Sequence, residues 1–347
     1  MDTTPLPDSI DPRHVVRRTV PAGLHSARAR SPSGGPEAAL ALAAPAVRAA
    51  ELRLRELVAS EVSVVSTIGT YLAESGGKRL RPMLTVLGCG AVARLGDCSG
   101  LACVGELIHL GSLLHDDVVD GASLRRNRAA AHEVYGNAAV ILTGDFCLAR
   151  AVLLAATDGG QAAVTRLAEA VTAMAEGEVL QLQRAGNLET TLPQYMEMID
   201  KKSAALIAWC ASVGALTVGD TVAEAALTRF GRGVGIAFQI TDDVLDYADG
   251  TGKDAGADLR ERKLTLPLLH AMARVPTLRV RLEAREPDAR AVAAFVEEIR
   301  GCGALESALA VARDRVDGAL DALTVLAPSP YRDALADLGR HLVDRAA

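Results

Sequence analysis

Two stretches decide the fold of this chain: residues 107–127, LIHLGSLLHDDVVDGASLRRN, and residues 238–253, FQITDDVLDYADGTGK. In each, an apolar run leads into the pattern DDxxD, at residues 116–120 and 242–246. The apolar runs predict helices, so each aspartate cluster is expected at the C-terminal end of a helix. On a helix, the first and last aspartates of the pattern lie four residues apart and project from one face.

Three carboxylates within one turn repel one another and the negative end of the helix dipole, so both clusters need positive charge nearby. Ligand sets made only of oxygen, with no His or Cys, suit a hard cation. Mg²⁺ typically binds through one or two carboxylates plus substrate phosphates. The two clusters therefore predict a site that holds a phosphorylated substrate through bridging Mg²⁺, with about three ions per site.

Such ions would not neutralise a bound diphosphate completely, so basic residues are expected to supply the remaining positive charge. They stand near both clusters and in one further turn: Lys78, Arg79 and Arg81 within GGKRLRP (76–82), Arg125 and Arg126, Lys201 and Lys202, Lys253, and Lys263. The glycine turn of GGKRLRP precedes a predicted helix, whose N-terminal N–H groups also favour anions. Together these residues form a local positive complement in an otherwise acidic chain.

The overall composition narrows the class of protein. The chain has 347 residues, 50% of them hydrophobic but only 3% aromatic, so we expect a core of Ala, Leu, Val and Ile. The formal net charge of −6 argues against a nucleic-acid-binding protein. The 6 cysteines show neither a CxxC pair nor a metal-ligand spacing, which indicates buried thiols in a reducing compartment and favours a cytoplasmic location.

Residues 1–36 are rich in Pro, Ser, Gly and Arg and are predicted to be a disordered N-terminal tail. Residues 37–347 are predicted to form one all-α domain, a single large helical bundle with a central cavity. The predicted helices cover residues 37–73, 83–95, 100–120, 138–156, 160–185, 193–218, 221–247, 265–274, 288–300, 304–326 and 331–345. The longest uncharged apolar run, residues 203–219, is shorter than the roughly 20 residues that span a bilayer, so no transmembrane helix is predicted.

In combination, these motifs resemble the trans-isoprenyl diphosphate synthases, and among them the long-chain all-trans polyprenyl diphosphate synthases. The similarity runs from about residue 49 to the C-terminus. It rests on GGKRLRP (76–82), LIHLGSLLHDDVVDGASLRRN (107–127), the segment 136–146, AEGEVLQL (175–182), FQITDDVLDYADGTGK (238–253) and KLTLPLLHA (263–271). Because order and spacing agree throughout, the resemblance is far more specific than a single motif.

The resemblance implies roles for individual residues. The aspartates that would hold Mg²⁺ on an allylic diphosphate are Asp116, Asp117, Asp120, Asp242, Asp243 and Asp246. Asp116, Asp120 and Asp242 are the first candidates for direct ligands and, with Arg125 and Lys202, for catalytic residues. The implied isopentenyl diphosphate site consists of Lys78, Arg81, His109 and Arg126. The positions implied to grip the allylic diphosphate or to place the reacting carbons are Arg125, Lys202, Ser203, Gln239, Lys253 and Lys263.

His109 has a second interpretation, because a single histidine among Leu and Ile is often a hydrogen-bonded core residue. It lies seven residues before Asp116 and so shares that aspartate's helical face, which favours a substrate role. Three other positions depart from the family pattern: Asn127 stands where glycine is usual, Ser203 where threonine is common, and Arg262-Lys263-Leu264 where Gly-Lys-Pro is common. Asn127 and Arg262 leave the geometry of their loops open.

The implied reaction is an electrophilic prenyl transfer. Diphosphate leaves the allylic substrate, the double bond of isopentenyl diphosphate attacks the allylic cation, and loss of a proton gives a product one isoprene unit longer. No side chain stands out as a general base, and the resemblance implies that the departing diphosphate takes the proton.

Product length is expected to depend on Ile108 and Ser112, which share the helical face of Asp116, and on the adjacent Gly111. A bulky aromatic at position 111 or 112 would block a tunnel about 6 Å from the aspartate. The small residues there predict a linear product of C35 to C50.

Several other functions stay open. A class I terpene cyclase shares the all-α architecture but lacks the second substrate site that Lys78, Arg81 and Arg126 indicate. A geranylgeranyl or farnesyl diphosphate synthase of the same family would make a shorter product. A regulatory partner subunit should have lost aspartates or the GGKRLRP turn, and a helical scaffold does not explain two matched clusters. The resemblance also implies a homodimer, and a water-insoluble product leads us to expect transient membrane contact for its release.

Overall fold

The chain is built of helices joined by short connections in the computed structural model, which describes residues 35–74, 79–94, 96–121, 123–125, 128–248, 255–284 and 288–344. The helices are α1 (Gly35–Leu57), α2 (Ser63–Ala73), α3 (Leu80–Ala91), α4 (Ser99–Asp120), α5 (Ala131–Tyr135), α6 (Asn137–Arg184), α7 (Leu192–Ile199), α8 (Ala205–Val218), α9 (Thr221–Leu245), α10 (Ala257–Arg260), α11 (Leu266–Arg274), α12 (Pro276–Ala284), α13 (Ala289–Gly301), α14 (Ala304–Ala322) and α15 (Pro330–Asp344). Within those residues, strands are confined to one antiparallel pair, β1 (Leu124–Arg125) and β2 (Arg128–Ala129).

Each predicted helical segment overlaps a helix of the structure, but several boundaries differ. The predicted helix 37–73 is interrupted after Leu57, where the hydroxyl of Ser66 accepts from the N–H of Ser60 and donates to its carbonyl. The predicted break between residues 156 and 160 is a kink at Gly160 (φ 75°) within α6. The prediction missed α5, α10, α12 and the strand pair. Helices α5 and α10 and the strands are too short to show a periodic pattern, and α12 barely separates apolar from polar residues on its faces.

Helix α8 forms the centre of the bundle, with α3, α4, α6 and α9 packed around it. Small residues let the neighbouring backbones approach closely. A Cβ atom added to Gly88 of α3 would lie 2.1 Å from the carbonyl oxygen of Ala211, and one added to Gly231 of α9 would lie 2.7 Å from the Cα of Ala208. Trp209 is buried, and its indole N–H donates to the carbonyl of Ala163 in α6 (3.1 Å). The core is therefore aliphatic, as predicted from composition, and its small residues allow the helices to pack closely.

The ends of α4 and α9 are defined by local signals. Gly121 adopts a left-handed conformation (φ 60°) and stops α4 directly after Asp120. Asp220 caps the start of α9 by accepting from the N–H of Ala223 (2.9 Å). Helix α9 then runs to Leu245, which places Asp242 and Asp243 in its last turn.

Helix α6 exposes a long apolar surface. Leu142 is 64% exposed and Leu153 is 56% exposed. Among the described helices, α6 alone is long and apolar enough to cross a bilayer by length and composition, a test that core helices of soluble proteins also pass. The prediction that no helix crosses a membrane stays a prediction.

Residues 1–34, most of the predicted disordered tail, lie outside the described part of the chain. Helix α1 begins at Gly35, two residues before the predicted domain boundary. It passes through Pro45 without ending and buries Ala39, Ala43 and Ala50 in the main core.

Candidate active site

Both aspartate clusters lie at helix C-termini, as predicted: the first closes α4, and the second spans the end of α9. Lys263, between α10 and α11, reaches both regions. Its ammonium nitrogen lies 3.2 Å from Oδ2 of Asp120, and its side chain lines the same cavity as Asp243. One cation thus pairs with the first cluster and borders a cavity that Asp243 of the second cluster also lines.

The middle aspartate of the first cluster faces inward. Asp117 is fully buried, and its Oδ1 accepts from Nε of Arg125 at 2.6 Å. Its other oxygen, Oδ2, has no hydrogen-bond partner among the described residues. The structure therefore joins Arg125, predicted as a substrate-binding residue, directly to an aspartate of the cluster.

The middle aspartate of the second cluster also faces inward. Asp243 accepts from the hydroxyl of Tyr195 (2.6 Å) and from the amide nitrogen of Gln239 (2.8 Å). The amide oxygen of Gln239 in turn accepts from the hydroxyl of Ser203 (2.6 Å). Burial raises the pKa of Asp243 to about 7, against the opposing effect of its hydrogen bonds. Gln239 and Ser203, both predicted site residues, thus belong to one network with this carboxyl group.

Because the middle aspartates turn inward, the first and last members of each pattern lie on a different face of their helices. Asp246 has a partner of its own, since its Oδ2 accepts from the backbone N–H of Asp258 (3.1 Å) and its carbonyl accepts from the N–H of Gly256 (3.0 Å). These bonds fix the start of the segment that leads to Lys263. Asp116, Asp120 and Asp242, the three aspartates that the resemblance implies as direct ligands, all hold first or last positions of the patterns.

Asp116 occupies an unfavourable electrostatic position. Burial raises the pKa of Asp116 to about 6, and Glu178 and Asp120 act in the same direction, whereas Lys202 and Arg125 oppose them. Lys202 forms an ion pair with Glu178. The ionised form of Asp116 is therefore destabilised mainly by burial and in part by neighbouring carboxylates, and a bound cation would offset both effects.

A π-helical turn, Asp200–Ala204, carries Lys201, Lys202 and Ser203 between α7 and α8. Two glycines make room for it. A Cβ atom on Gly177 of α6 would lie 2.4 Å from the backbone nitrogen of Lys202, and one on Gly235 of α9 would lie 2.7 Å from the Cα of Ala204. Such turns occur often at functional sites, because they change the direction in which side chains project.

The predicted isopentenyl diphosphate site is described in part, since Lys78 and Arg126, like Lys253 of the allylic site, lie outside the described residues. A Cβ atom on Gly105 would lie 3.4 Å from Cβ of Arg81, so Arg81 packs on the face of α4 that also carries His109, one turn later. Nε of Arg81 is buried without a hydrogen-bond partner among the described residues. The structure thus places Arg81 and His109 along one face.

Arg79, counted from the sequence among the basic residues available to a diphosphate, instead anchors the turn before α3. It adopts a left-handed conformation (φ 48°) and forms ion pairs with Glu51 of α1 (2.9 Å) and Glu106 of α4 (3.1 Å). Its Nη2 also donates to the carbonyl of Ala73. These contacts hold the described end of GGKRLRP against two helices.

The loop around Lys263 keeps a glycine-like geometry without glycine. Arg262, where the family commonly has glycine, adopts a left-handed conformation (φ 57°), and its carbonyl accepts from the N–H of Gly186 (2.8 Å). The departure seen in the sequence is therefore accommodated at the cost of some backbone strain. The corresponding question for Asn127 stays open, since Asn127 lies outside the described residues.

A cavity of about 140 Å³ lies where these elements meet. Its polar lining includes Lys202, Ser203, Gln239, Asp243 and Lys263. Four predicted site residues, from three separate stretches of the sequence, thus border the same space as Asp243 of the second cluster.

The predicted chain-length residues differ in their surroundings. Ile108 is buried in the core. Gly111 lies at the contact between α4 and α6, where a Cβ atom would be 3.0 Å from the carbonyl oxygen of Gly144 and 3.4 Å from Leu148. Ser112 is only partly buried, and its hydroxyl donates to the carbonyl of His109 (3.0 Å). A bulky side chain at 111 would have to displace α6, so position 112 offers the cleaner test of tunnel length.

The donor set fits a hard cation that shares its ligands with a substrate. Among the described residues, no group of three His, Cys, Asp or Glu side chains is close enough to hold a metal ion unaided. Mg²⁺ commonly takes one or two carboxylates and completes its shell with water and phosphate oxygens. Asp116, Asp120 and Asp242 can supply such carboxylates.

Sequence reasoning missed several residues of this site. Tyr195 and Asp258 gave no signal, because their partners are 48 and 12 residues away and only the fold brings them together. Glu178 stands within AEGEVLQL, a motif that the sequence singles out without showing that it pairs with Lys202.

Comparisons with known sequences identify one family. The profile of the polyprenyl synthetase family matches residues 62–299. Octaprenyl diphosphate synthase of Escherichia coli K12 is 39% identical over 300 residues, which cover 84% of this chain and 93% of that protein. All-trans-nonaprenyl-diphosphate synthase (geranyl-diphosphate specific) of Rhodobacter capsulatus is 35% identical over 306 residues, covering 84% of this chain and 92% of that protein.

Solved structures agree with the sequence comparisons. A polyprenyl synthase from Caulobacter crescentus CB15, complexed with calcium and isoprenyl diphosphate, has a TM-score of 0.86 and 38% identity, covering 91% of this chain and 99% of that one. A decaprenyl diphosphate synthase from Rhodobacter capsulatus has a TM-score of 0.81 and 37% identity, covering 90% and 98%. These similarities confirm the predicted helical-bundle fold.

The raised pKa of Asp116 predicts a stabilising substitution. The pKa of Asp116 is about 6 in the folded protein and roughly 3.9 in the unfolded chain, so its protonated form favours folding below about pH 4. This contribution to the free energy of unfolding is lost as pH rises through 6. We expect Asp116→Asn, which cannot ionise, to raise the free energy of unfolding by ~1–3 kcal/mol at pH 8 in EDTA. Urea denaturation measures this difference.

At pH 4 the difference should shrink to about 0.5 kcal/mol, because Asp116 is then protonated in the folded protein and about half ionised in the unfolded chain, and this provides the internal control. Asp243, whose pKa is also raised, is present in both proteins, so its contribution to the pH dependence of stability cancels from the comparison. Equal or lower stability of Asp116→Asn at pH 8 would contradict the electrostatic account of this position.

Proposed function

Because the chain belongs to the polyprenyl synthetase family, we propose that it condenses isopentenyl diphosphate repeatedly with an allylic diphosphate and releases a linear all-trans polyprenyl diphosphate of C35 to C50. The octaprenyl and nonaprenyl diphosphate synthases among its relatives support a long product. The observation that carries the proposal is the pair of aspartate clusters at two helix ends. Lys263 pairs with Asp120 of the first cluster and borders a cavity that is also lined by Asp243 of the second cluster and by further polar groups.

We assign the direct binding of Mg²⁺, about three ions per site, to Asp116, Asp120 and Asp242. When bound, Mg²⁺ would neutralise the diphosphate and make it a better leaving group. Asp117 and Asp243 play a different part in this proposal: each is tied to a neighbouring side chain and fixes the end of its helix. Asp246 holds the segment that leads to Lys263.

The protein's own cations would grip the allylic diphosphate. Lys202 is held by Glu178, Arg125 by Asp117, and Lys263 by Asp120, so each is oriented before substrate binds. As the bond between the allylic carbon and the diphosphate oxygen breaks, negative charge collects on the leaving group. Cations already in position stabilise that charge with little reorganisation.

The second substrate would bind on the face of α4 that carries His109 and adjoins Arg81. Lys78 and Arg126 complete this site in the proposal, as Lys253 completes the allylic site. The double bond of isopentenyl diphosphate then attacks the allylic cation, a carbon–carbon bond forms, and the departing diphosphate takes the proton that is lost.

We further propose that the protein is a cytoplasmic homodimer that contacts membranes transiently when it releases its insoluble product. The exposed apolar side chains of α6, such as Leu142 and Leu153, support a dimer because a second copy would cover them. Light scattering should give twice the 36.1 kDa mass of one chain. A mass of 36.1 kDa at micromolar concentration would contradict the dimer.

The test of the proposed function is incubation of the purified protein with Mg²⁺, isopentenyl diphosphate, and farnesyl or geranylgeranyl diphosphate. We expect isopentenyl diphosphate to be consumed, and Asp116→Asn and Asp242→Asn to lower kcat/KM roughly 100-fold or more, since each removes a carboxylate from the site where charge develops.

Asp314→Asn provides the matched control, because Asp314 is exposed on α14 and the substitution changes net charge equally. It should retain full activity. No turnover by the protein alone would favour a partner subunit, and near-normal rates in the two site variants would refute the metal assignment.

Product length tests the proposed tunnel below the first cluster. We expect Ser112→Tyr to shorten the main product, because an aromatic ring would lie about one helical turn from Asp116. Ser112→Ala removes only the hydroxyl and should leave the length unchanged. Reversed-phase chromatography separates the products; C15 or C20 alone from the natural sequence, or an unchanged length in Ser112→Tyr, would contradict an open tunnel.

A further inference from the structure

Two cysteines lie together at the end of the bundle where α3 connects to α4. Cys89, in α3, is 2% exposed, whereas Cys98, the residue before α4, is partly exposed. Their thiol groups lie close enough that each shifts the pKa of the other. Neither residue contributes to the proposed prenyl-transfer chemistry.

Arg94 is fixed against the sulfur of Cys98. Its Nη1 lies 3.2 Å from Sγ of Cys98, and its Nε donates to the hydroxyl of Thr217 at 2.9 Å. The same guanidinium group donates to the carbonyl of Asp97, and the backbone N–H of Arg94 donates to the carbonyl of Cys89 (3.0 Å). A guanidinium group held in this way favours the thiolate form, which is the nucleophilic form of cysteine.

The charged surroundings of Cys98 support this argument. The neighbouring thiol of Cys89 and the guanidinium group of Arg94 lower the pKa of Cys98 to about 7, while burial and Asp97 oppose them. Asp97 is itself engaged by the N–H and hydroxyl of Ser99. Burial instead raises the pKa of the thiols of Cys103, Cys147 and Cys210 to about 12.

We propose that Cys89 and Cys98 form a redox-sensitive thiol pair, in which Cys98 reacts with peroxides and Cys89 resolves the product to a disulfide. The thiolate sulfur of Cys98 attacks hydrogen peroxide, so a sulfur–oxygen bond forms, the oxygen–oxygen bond breaks, and the hydroxide released takes a proton to become water. The thiol of Cys89 then attacks the sulfenic acid, the sulfur–sulfur bond forms, and a second water leaves. The pair loses two electrons, and one peroxide is reduced to two waters.

The first experiment measures thiol reactivity in the folded, reduced, full-length protein. Brief labelling with iodoacetamide at pH 7, followed by mass spectrometry, should show Cys98 alkylated roughly 10-fold faster than Cys302, the other partly exposed cysteine. Arg94→Gln should slow labelling of Cys98 and leave labelling of Cys302 unchanged. Equal rates at Cys98 and Cys302 would overturn the proposal.

The second experiment locates the bond. After limited hydrogen peroxide, trypsin cleaves at Arg94, so a disulfide between Cys89 and Cys98 joins two peptides that separate on reduction. Fragmentation must distinguish Cys98 from Cys103, which lies in the same peptide. A disulfide at Cys103, or no disulfide at all while Cys98 is oxidised irreversibly, would also overturn the proposal.

Single substitutions separate the two roles. In Cys89→Ser, Cys98 should stop at the sulfenic acid and be trapped by dimedone. In Cys98→Ser, Cys89 should resist oxidation, and Cys302→Ser should behave as the natural sequence. Circular dichroism of each variant checks that the fold is retained. Oxidation of Cys89 at its normal rate in Cys98→Ser would contradict the assignment of Cys98 as the reactive thiol.

Discussion

Repulsion among six aspartates at the negative ends of two helices is the interaction around which the site is built. The structure treats the members of each cluster differently. Asp117 and Asp243 turn inward and are held by Arg125 and by Tyr195 with Gln239. Among the outer aspartates, burial and the carboxylates of Glu178 and Asp120 raise the pKa of Asp116 to about 6 against the opposing charges of Lys202 and Arg125, so the ionised form of Asp116 is not fully compensated. The residual demand for positive charge is what suits this site to cations and a diphosphate.

Much of this arrangement could be predicted from the sequence. The apolar runs before each DDxxD pattern placed both clusters at helix ends, because their periodicity is long and uninterrupted. Lys202, Ser203, Gln239 and Lys263 were identified from three separate stretches of the sequence, and the structure brings all four to one cavity. Family resemblance supplied what periodicity cannot, namely the substrates and the order of the chemistry.

The remaining features depend on contacts between distant parts of the chain. No local pattern links Tyr195 to Asp243, or Arg79 to Glu51 and Glu106. The π-helical turn at Asp200–Ala204 depends on space that glycines of α6 and α9 leave beside it. The scarcity of aromatic residues agrees with the packing around α8, because the neighbouring helices approach α8 through glycine and alanine and leave little space for large side chains. Packing is also close at Gly111, where a bulky substitution would displace α6 and so would not report on product length alone.

The central claim is that the outer aspartates bind diphosphate through divalent cations and not through the protein's basic residues alone. Calorimetric titration of the full-length protein with inorganic diphosphate, in Mg²⁺ and separately in EDTA, tests this claim most directly. The account predicts saturable binding in Mg²⁺ and binding weaker by roughly 100-fold or more in EDTA, a difference of about 2.7 kcal/mol. Equal affinity under the two conditions would contradict it.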